Sequence, residues 1–184
     1  MGADKGRIVV KVGTSTLVHP TGRTDFRELD LLVRAMADFQ NSGHSMVLVS
    51  SGAIGVGVGK LGLPGRPADT AGKQAASMVG QCELMFMYDK LFGEYGQKVG
   101  QLLMTRGDVE DPRRRDNLVN TFERLFDWGV IPIVNENDAV AVEEIVYGDN
   151  DNLSAIVAGL TSARKLIILT DIDGLYDSNP RKNP

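Results

Sequence analysis

Ile8-Val9-Val10-Lys11-Val12-Gly13-Thr14-Ser15 is a β-branched apolar run that holds one lysine and ends on a glycine and two hydroxyl residues. Valine and isoleucine without polar alternation mark a strand buried on both faces, as in a parallel sheet. Four further runs share this character: Met46–Val49, Val99–Met104, Val130–Val134 and Leu166–Leu169. Amphipathic segments separate them. Phe26, Leu29, Leu32, Val33, Met36 and Phe39 keep helical spacing and stop at Gly43, which suits a glycine helix end. A long helix is expected from Asp69 to Phe92, with shorter ones carrying Leu118, Phe122, Leu125 and Phe126, then Leu153, Ile156, Val157 and Leu160. This β-α-β alternation predicts right-handed crossovers and a mainly parallel sheet covered on both faces, a three-layer α/β/α sandwich. The chain, 1–184, reads as a single domain without linker, repeat or low-complexity segment.

Composition narrows the function. With 184 residues, 42% hydrophobic and 24% charged, the chain can bury roughly 70% of the surface its unfolded form exposes. No run approaches the ~18 apolar residues of a membrane span, and Met1–Arg7 is polar, so a cytoplasmic protein is expected, without membrane contact. The net charge is −4 and the one dense basic run is Arg113-Arg114-Arg115, which argues against nucleic-acid binding. Cys82, the single cysteine, cannot build a disulfide within the chain or a thiolate metal site; among Met78, Val79, Met85 and Phe86 it reads as core. His19 and His44 stand in predicted loops and read as surface residues.

Ligands of open α/β sheets bind beyond the carboxyl ends of the strands. Each predicted strand here ends in small polar or charged residues: Lys11, Gly13, Thr14 and Ser15; Ser50, Ser51 and Gly52; Thr105 and Arg106; Asn135, Glu136, Asn137 and Asp138; Thr170 and Asp171. Turn chemistry alone accounts for one or two such ends, less well for a strand lysine or for four polar residues in succession. A P-loop is absent. Gly57-Val58-Gly59-Lys60-Leu61-Gly62 spells a dinucleotide fingerprint but ends a segment before Pro64 instead of opening a helix after a strand, so it carries no such meaning. Val49-Ser50-Ser51-Gly52-Ala53-Ile54 is a strand-turn-helix junction suited to an anion, with Ser51 a donor and no histidine available as its base. Gly148-Asp149-Asn150-Asp151-Asn152-Leu153-Ser154-Ala155 opens a helix with more carboxylates and amides than one cap requires. Lysine, serine, asparagine and aspartate at an α/β rim suit phosphoryl transfer by positioning and charge. An acid acceptor is already ionised at neutral pH, so its phosphorylation needs no general base.

Val9–Ser15, Val49–Ile54, Ile133–Asp138, Gly148–Ala155 and Leu169–Asp171, five motifs in order along nearly the whole chain, resemble glutamate 5-kinases of the amino-acid kinase family. The resemblance implies transfer of a phosphoryl group from ATP, carried with Mg2+, to the γ-carboxylate of L-glutamate, the first step of proline biosynthesis. It implies proline as feedback inhibitor and a homo-oligomer, commonly a dimer or tetramer; the apolar residues that spread around the long helix place that helix or the adjoining loops near the interface, the alternative being a helix buried wholly in the core. By that likeness Lys11 and Asp151 are catalytic. Ser51, Asn135, Asp138 and Asn150 hold the acceptor, and Lys11, Gly13, Thr170 and Asp171 bind the nucleotide, with no protein metal site. Asp138 suits the α-ammonium, while Ser51 and Asn150 can donate to carboxylates. The short interval from Asp138 to Asn150 is similar to that of stand-alone bacterial enzymes. Family members continue beyond the equivalent of Pro184 with the rest of the ATP half, a glycine-rich loop and a second lysine, and often a PUA domain. Alternatives are a kinase for aspartate or carbamate, or a silent module that binds glutamate or proline.

Overall fold

A computed structural model describes residues 5–19, 23–141 and 150–170. Five parallel strands, β1 (Arg7–Val12), β2 (Ser45–Ser50), β3 (Lys98–Met104), β4 (Val130–Glu136) and β5 (Lys165–Leu169), form one sheet in the order β3-β4-β2-β1-β5. All five expected strands are present. The helices are α1 (Thr14–Leu17), α2 (Phe26–Asn41), α3 (Ala53–Leu61), α4 (Thr70–Glu94), α5 (Arg106–Glu110), α6 (Pro112–Asp127) and α7 (Asp151–Leu160).

Alternation along the strands divides the core. Ile8, Val10, Met46, Leu48, Ile131 and Ile133 pack with residues of α2, α3 and α4, including Leu29, Met36, Val56, Leu84 and Phe92. Val9, Val47, Val49, Leu102 and Val134 meet Phe122 of α6 and Leu153 and Val157 of α7. The sheet is thus sandwiched between two helical layers, as expected of an α/β/α fold.

Register brings the strand tips level. Val12 stands beside Ser50 on one side and Leu169 on the other, and Val49 pairs with Val134. From β1 the chain adds β2, places β3 at the far edge, returns to insert β4 between β2 and β3, then crosses to β5 on β1's other side, so the direction of winding reverses at β1. That reversal opens a crevice at the carboxyl ends near β1.

Two glycines let the helices above β1 and β2 approach closely. A Cβ on Gly57 would lie 1.8 Å from the Ala76 carbonyl oxygen, and one on Gly80 1.7 Å from that of Ala53. Only hydrogen fits at this crossing of α3 and α4. The Gly57–Gly62 stretch is therefore a helix-packing surface closed by Gly62 at φ +64°, in keeping with its rejection as a dinucleotide fingerprint.

Three expectations need correction. Cys82 is exposed, because the buried stripe of α4 runs through Ser77, Gln81, Leu84 and Tyr88 and turns Cys82 outward with Met78 and Phe86. β5, expected as a buried strand, leaves Ile167 and Ile168 each 40% exposed, since it is the edge strand of the described sheet. His44 is partly buried, edge-on to Phe39, with Nδ1 3.2 Å from the Gly6 carbonyl.

Candidate active site

Lys11 occupies the last turn of the pleat in β1, on the sheet face covered by α7. Its side chain is 9% exposed, yet its ammonium is compensated by the Asp151 carboxylate at 2.6 Å, the first residue of α7. A buried cation needs such a partner, because desolvation otherwise outweighs what packing of its stem contributes. Asp151 remains 42% exposed, so the ion pair opens toward solvent at the rim. A Cβ on Gly13 would lie 3.7 Å from the Lys11 ammonium and 3.8 Å from the Leu169 carbonyl oxygen. The backbone at Gly13 therefore runs bare beside the lysine, between the tips of β1 and β5.

Beside it, the β2 tip is anchored from within. Ser50 Oγ and the Tyr88 hydroxyl are 2.8 Å apart, both buried. Burial pushes the Tyr88 phenol well above its ordinary range, with the Ser50 hydrogen bond opposing, so it stays neutral. Ser51 N–H donates to the Val12 carbonyl at 3.1 Å, and Gly52 takes φ +94°, a left-handed turn that sends the chain straight into α3.

Amides bridge β4 to this tip. Asn150, at the start of α7, donates through Nδ2 to the Ser50 carbonyl and to Asn135 Oδ1, both at 2.8 Å. Asn135 in turn donates to Gln81 Oε1 at 2.8 Å. Asp138, on the loop after β4, accepts a hydrogen bond from the Ser77 hydroxyl of α4. With both amide hydrogens engaged, Asn150 offers a ligand an acceptor, which differs from the donor role expected of it.

Helix starts add a further feature. α2, α4 and α6 begin on Asp25, Asp69 and Asp111, whose carboxylates accept from first-turn N–H groups. α1, α3 and α7, which begin at the β1 tip, the β2 tip and Asn150, have no such side-chain cap. Uncapped N–H groups and the helix dipole favour an anion at the starts of α3 and α7, the two longer helices.

The structure thus gathers Lys11, Gly13, Ser51, Asn135, Asp138, Asn150 and Asp151 around the tips of β1, β2 and β4. Thr170 directly follows the β5 tip and is exposed, while Asp171 lies outside the described residues, as do Gly148 and Asp149. Sequence reasoning missed Ser77, Gln81 and Tyr88. Their signal was spacing: polar residues at i, i+4 and i+11 on the buried stripe of an otherwise apolar helix. Neither histidine takes part; His19 pairs with Asp25 at 3.3 Å and His44 sits at the opposite end of β2.

Comparison with known proteins follows the same line. The sequence pattern of the amino acid kinase family matches residues 6–184. A protein named glutamate 5-kinase from Clostridium acetobutylicum is 58% identical over 177 residues, covering 96% of this chain and 66% of that protein. Glutamate 5-kinases from Clostridium perfringens and Symbiobacterium thermophilum are each 54% identical, covering 98% and 97% of this chain and 68% of each relative. The chain spans about two thirds of the length of these relatives.

Proposed function

The chain belongs to the amino acid kinase family, and on that premise we propose that it phosphorylates the γ-carboxylate of L-glutamate with ATP. One observation carries the mechanism: a buried lysine, held by Asp151, at the point of the sheet where uncapped helix starts converge. A γ-carboxylate oxygen attacks the terminal phosphorus of ATP, the bond from that phosphorus to the bridging oxygen breaks, and ADP departs with the electron pair. No proton has to be removed, because the acceptor is ionised well below neutral pH. Lys11 neutralises charge that grows on the transferring phosphoryl oxygens, and Asp151 keeps its ammonium aimed there. Gly13, with no side chain beside that ammonium, lets phosphate approach the backbone, and Thr170 and Asp171 serve the nucleotide.

Glutamate itself is held at three points. Asp138 and the Asn150 carbonyl accept from its α-ammonium, and Ser51 donates to a carboxylate; Asn135 keeps Asn150 in place. Mg2+ carried with the triphosphate would supply further neutralisation of its charge. Such an ion is usually held by phosphates, water and one or two carboxylates. Asp151 is the carboxylate of this cluster that suits it.

The same reading makes the reaction the first step of proline synthesis in the cytoplasm, with proline as inhibitor and a dimer or tetramer as the working form. The exposed Met78 and Phe86 of α4 support self-association. Light scattering at tens of micromolar should give at least the dimer mass; a persistent monomer would contradict assembly.

Calorimetry with L-glutamate, followed by assay of ADP release on adding Mg-ATP, tests the function. Binding together with glutamate-dependent release is expected. Binding without release would make the chain a silent glutamate module, and binding of neither would remove the proposal.

A further inference from the structure

The buried stripe of α4 carries Ser77, Gln81 and Tyr88 beneath the loop and strand tips that surround the acceptor pocket. Gln81 stands at the head of a chain of amides whose direction is fixed at both ends. The Glu136 N–H can only donate, and it lies 2.9 Å from Asn135 Oδ1. Asn135 must therefore show its oxygen there and its Nδ2 to Gln81, which answers with Oε1 at 2.8 Å. At the far end the Ser50 carbonyl can only accept, so Asn150 must aim Nδ2 at it; the second hydrogen of that nitrogen goes to Asn135 Oδ1. Asn150 is left with its carbonyl oxygen as the group a ligand can use. It is not occupied as a side-chain cap of α7.

We propose that Gln81 is a positioning residue of the acceptor pocket: by accepting from Asn135 it locks Asn150 with its amide hydrogens inward, so that the pocket offers a carbonyl to the ammonium of an amino-acid substrate. Gln81 acts through one acceptor oxygen and touches no substrate. Without that acceptor the Asn135 Nδ2 is buried with nothing to receive it, and the amide loses the anchor that holds it in place beneath Asn150. An Asn135 side chain that shifts toward other partners draws its Oδ1 away from the Asn150 Nδ2, releasing Asn150 to rotate. The pocket identity assumed here is the glutamate reading given above.

Gln81→Leu and Gln81→Glu separate the acceptor from mere packing, since leucine fills much of the same volume and glutamate keeps an oxygen toward Asn135. Losing one such buried hydrogen bond should raise the glutamate Kd of Gln81→Leu about tenfold or more, while Gln81→Glu stays within about threefold of the parent. In ligand-free 15N-labelled protein, the Asn135 and Asn150 side-chain amide protons should exchange slowly with water, and faster in Gln81→Leu. Equal weakening by both variants, or unchanged affinity in Gln81→Leu, would overturn the proposal. So would Asn150 amide protons that exchange no faster in Gln81→Leu, whatever acid the pocket takes. Should the parent protein fail to bind glutamate, the substrate reading falls, and the amide exchange still decides the role of Gln81.

Discussion

The Lys11 ammonium and the Asp151 carboxylate meet at 2.6 Å, tying the tip of the second-to-last strand in the sheet order to the first residue of α7. The pair sets a cation at the rim without leaving it unpaired inside the protein. Lys11→Ala should lower turnover by about 10²–10³-fold, since one fixed charge aimed at developing phosphoryl charge is worth that much. Glutamate affinity should change far less. Steady-state kinetics against both substrates check this, and weakened glutamate binding with intact turnover would contradict it.

Asp138 accepts from Ser77 and stands on the loop after β4. Asp138→Ala should weaken glutamate binding by about 2–5 kcal/mol, because the substrate ammonium is left unpaired in a partly dry site. Ser77→Ala, which removes only a donor that orients the carboxylate, should weaken it less. Calorimetry gives the affinities, and a melting curve shows whether the fold is intact. An unfolded Asp138→Ala protein would make the carboxylate a structural feature of its loop.

The α3–α4 crossing predicts opposite outcomes for two glycines of one helix. Gly80→Ala would push a methyl to 1.7 Å from the Ala53 carbonyl and force the helices apart, at a cost of ~3 kcal/mol or more. Gly93 has open space around its Cβ position, so Gly93→Ala should stabilise by about 0.5–1 kcal/mol through helix propensity. Urea unfolding measures both.

Tyr88 links stability to alkaline pH. Its phenol is raised by burial, against the Ser50 hydrogen bond, so the folded state holds its proton more tightly than the unfolded state, whose value is about 10. The stability it brings is complete below pH ~10 and is lost as pH rises from there through the folded value. The advantage of the parent protein over Tyr88→Phe, about 1 kcal/mol for the Ser50 hydrogen bond, should hold steady from pH 7 to 9 and shrink above ~10. Unfolding midpoints across that range decide it; an advantage growing with pH would contradict the assignment.

Much of this architecture was legible in the sequence because buried parallel strands advertise themselves. Ile8–Val12 and Met46–Val49 are apolar throughout save for Lys11, and nothing but a two-sided interior accommodates them. Lys11, Asn135 and Asp138 stood out as polar residues at the ends of such runs. α4 was harder to read. Its apolar residues surround the helix, so periodicity could not show which face was inward, and Cys82 was placed in the core while Ser77 and Gln81 went unnoticed. The amide orientation of Asn150 depends on Ser50, 100 residues away, and Asn135, 15 residues away, and such non-local pairings leave no signature in the sequence around it. The exposed β5 is a matter of sheet position, which composition does not encode.

The most direct test of the central claim is transfer of phosphate from ATP to a panel of acids, with the acyl phosphates trapped as hydroxamates. L-glutamate should be turned over in preference to L-aspartate, carbamate and glutarate, the last because it lacks the ammonium that Asp138 and Asn150 are placed to receive. Turnover of aspartate or carbamate above that of glutamate would contradict the account.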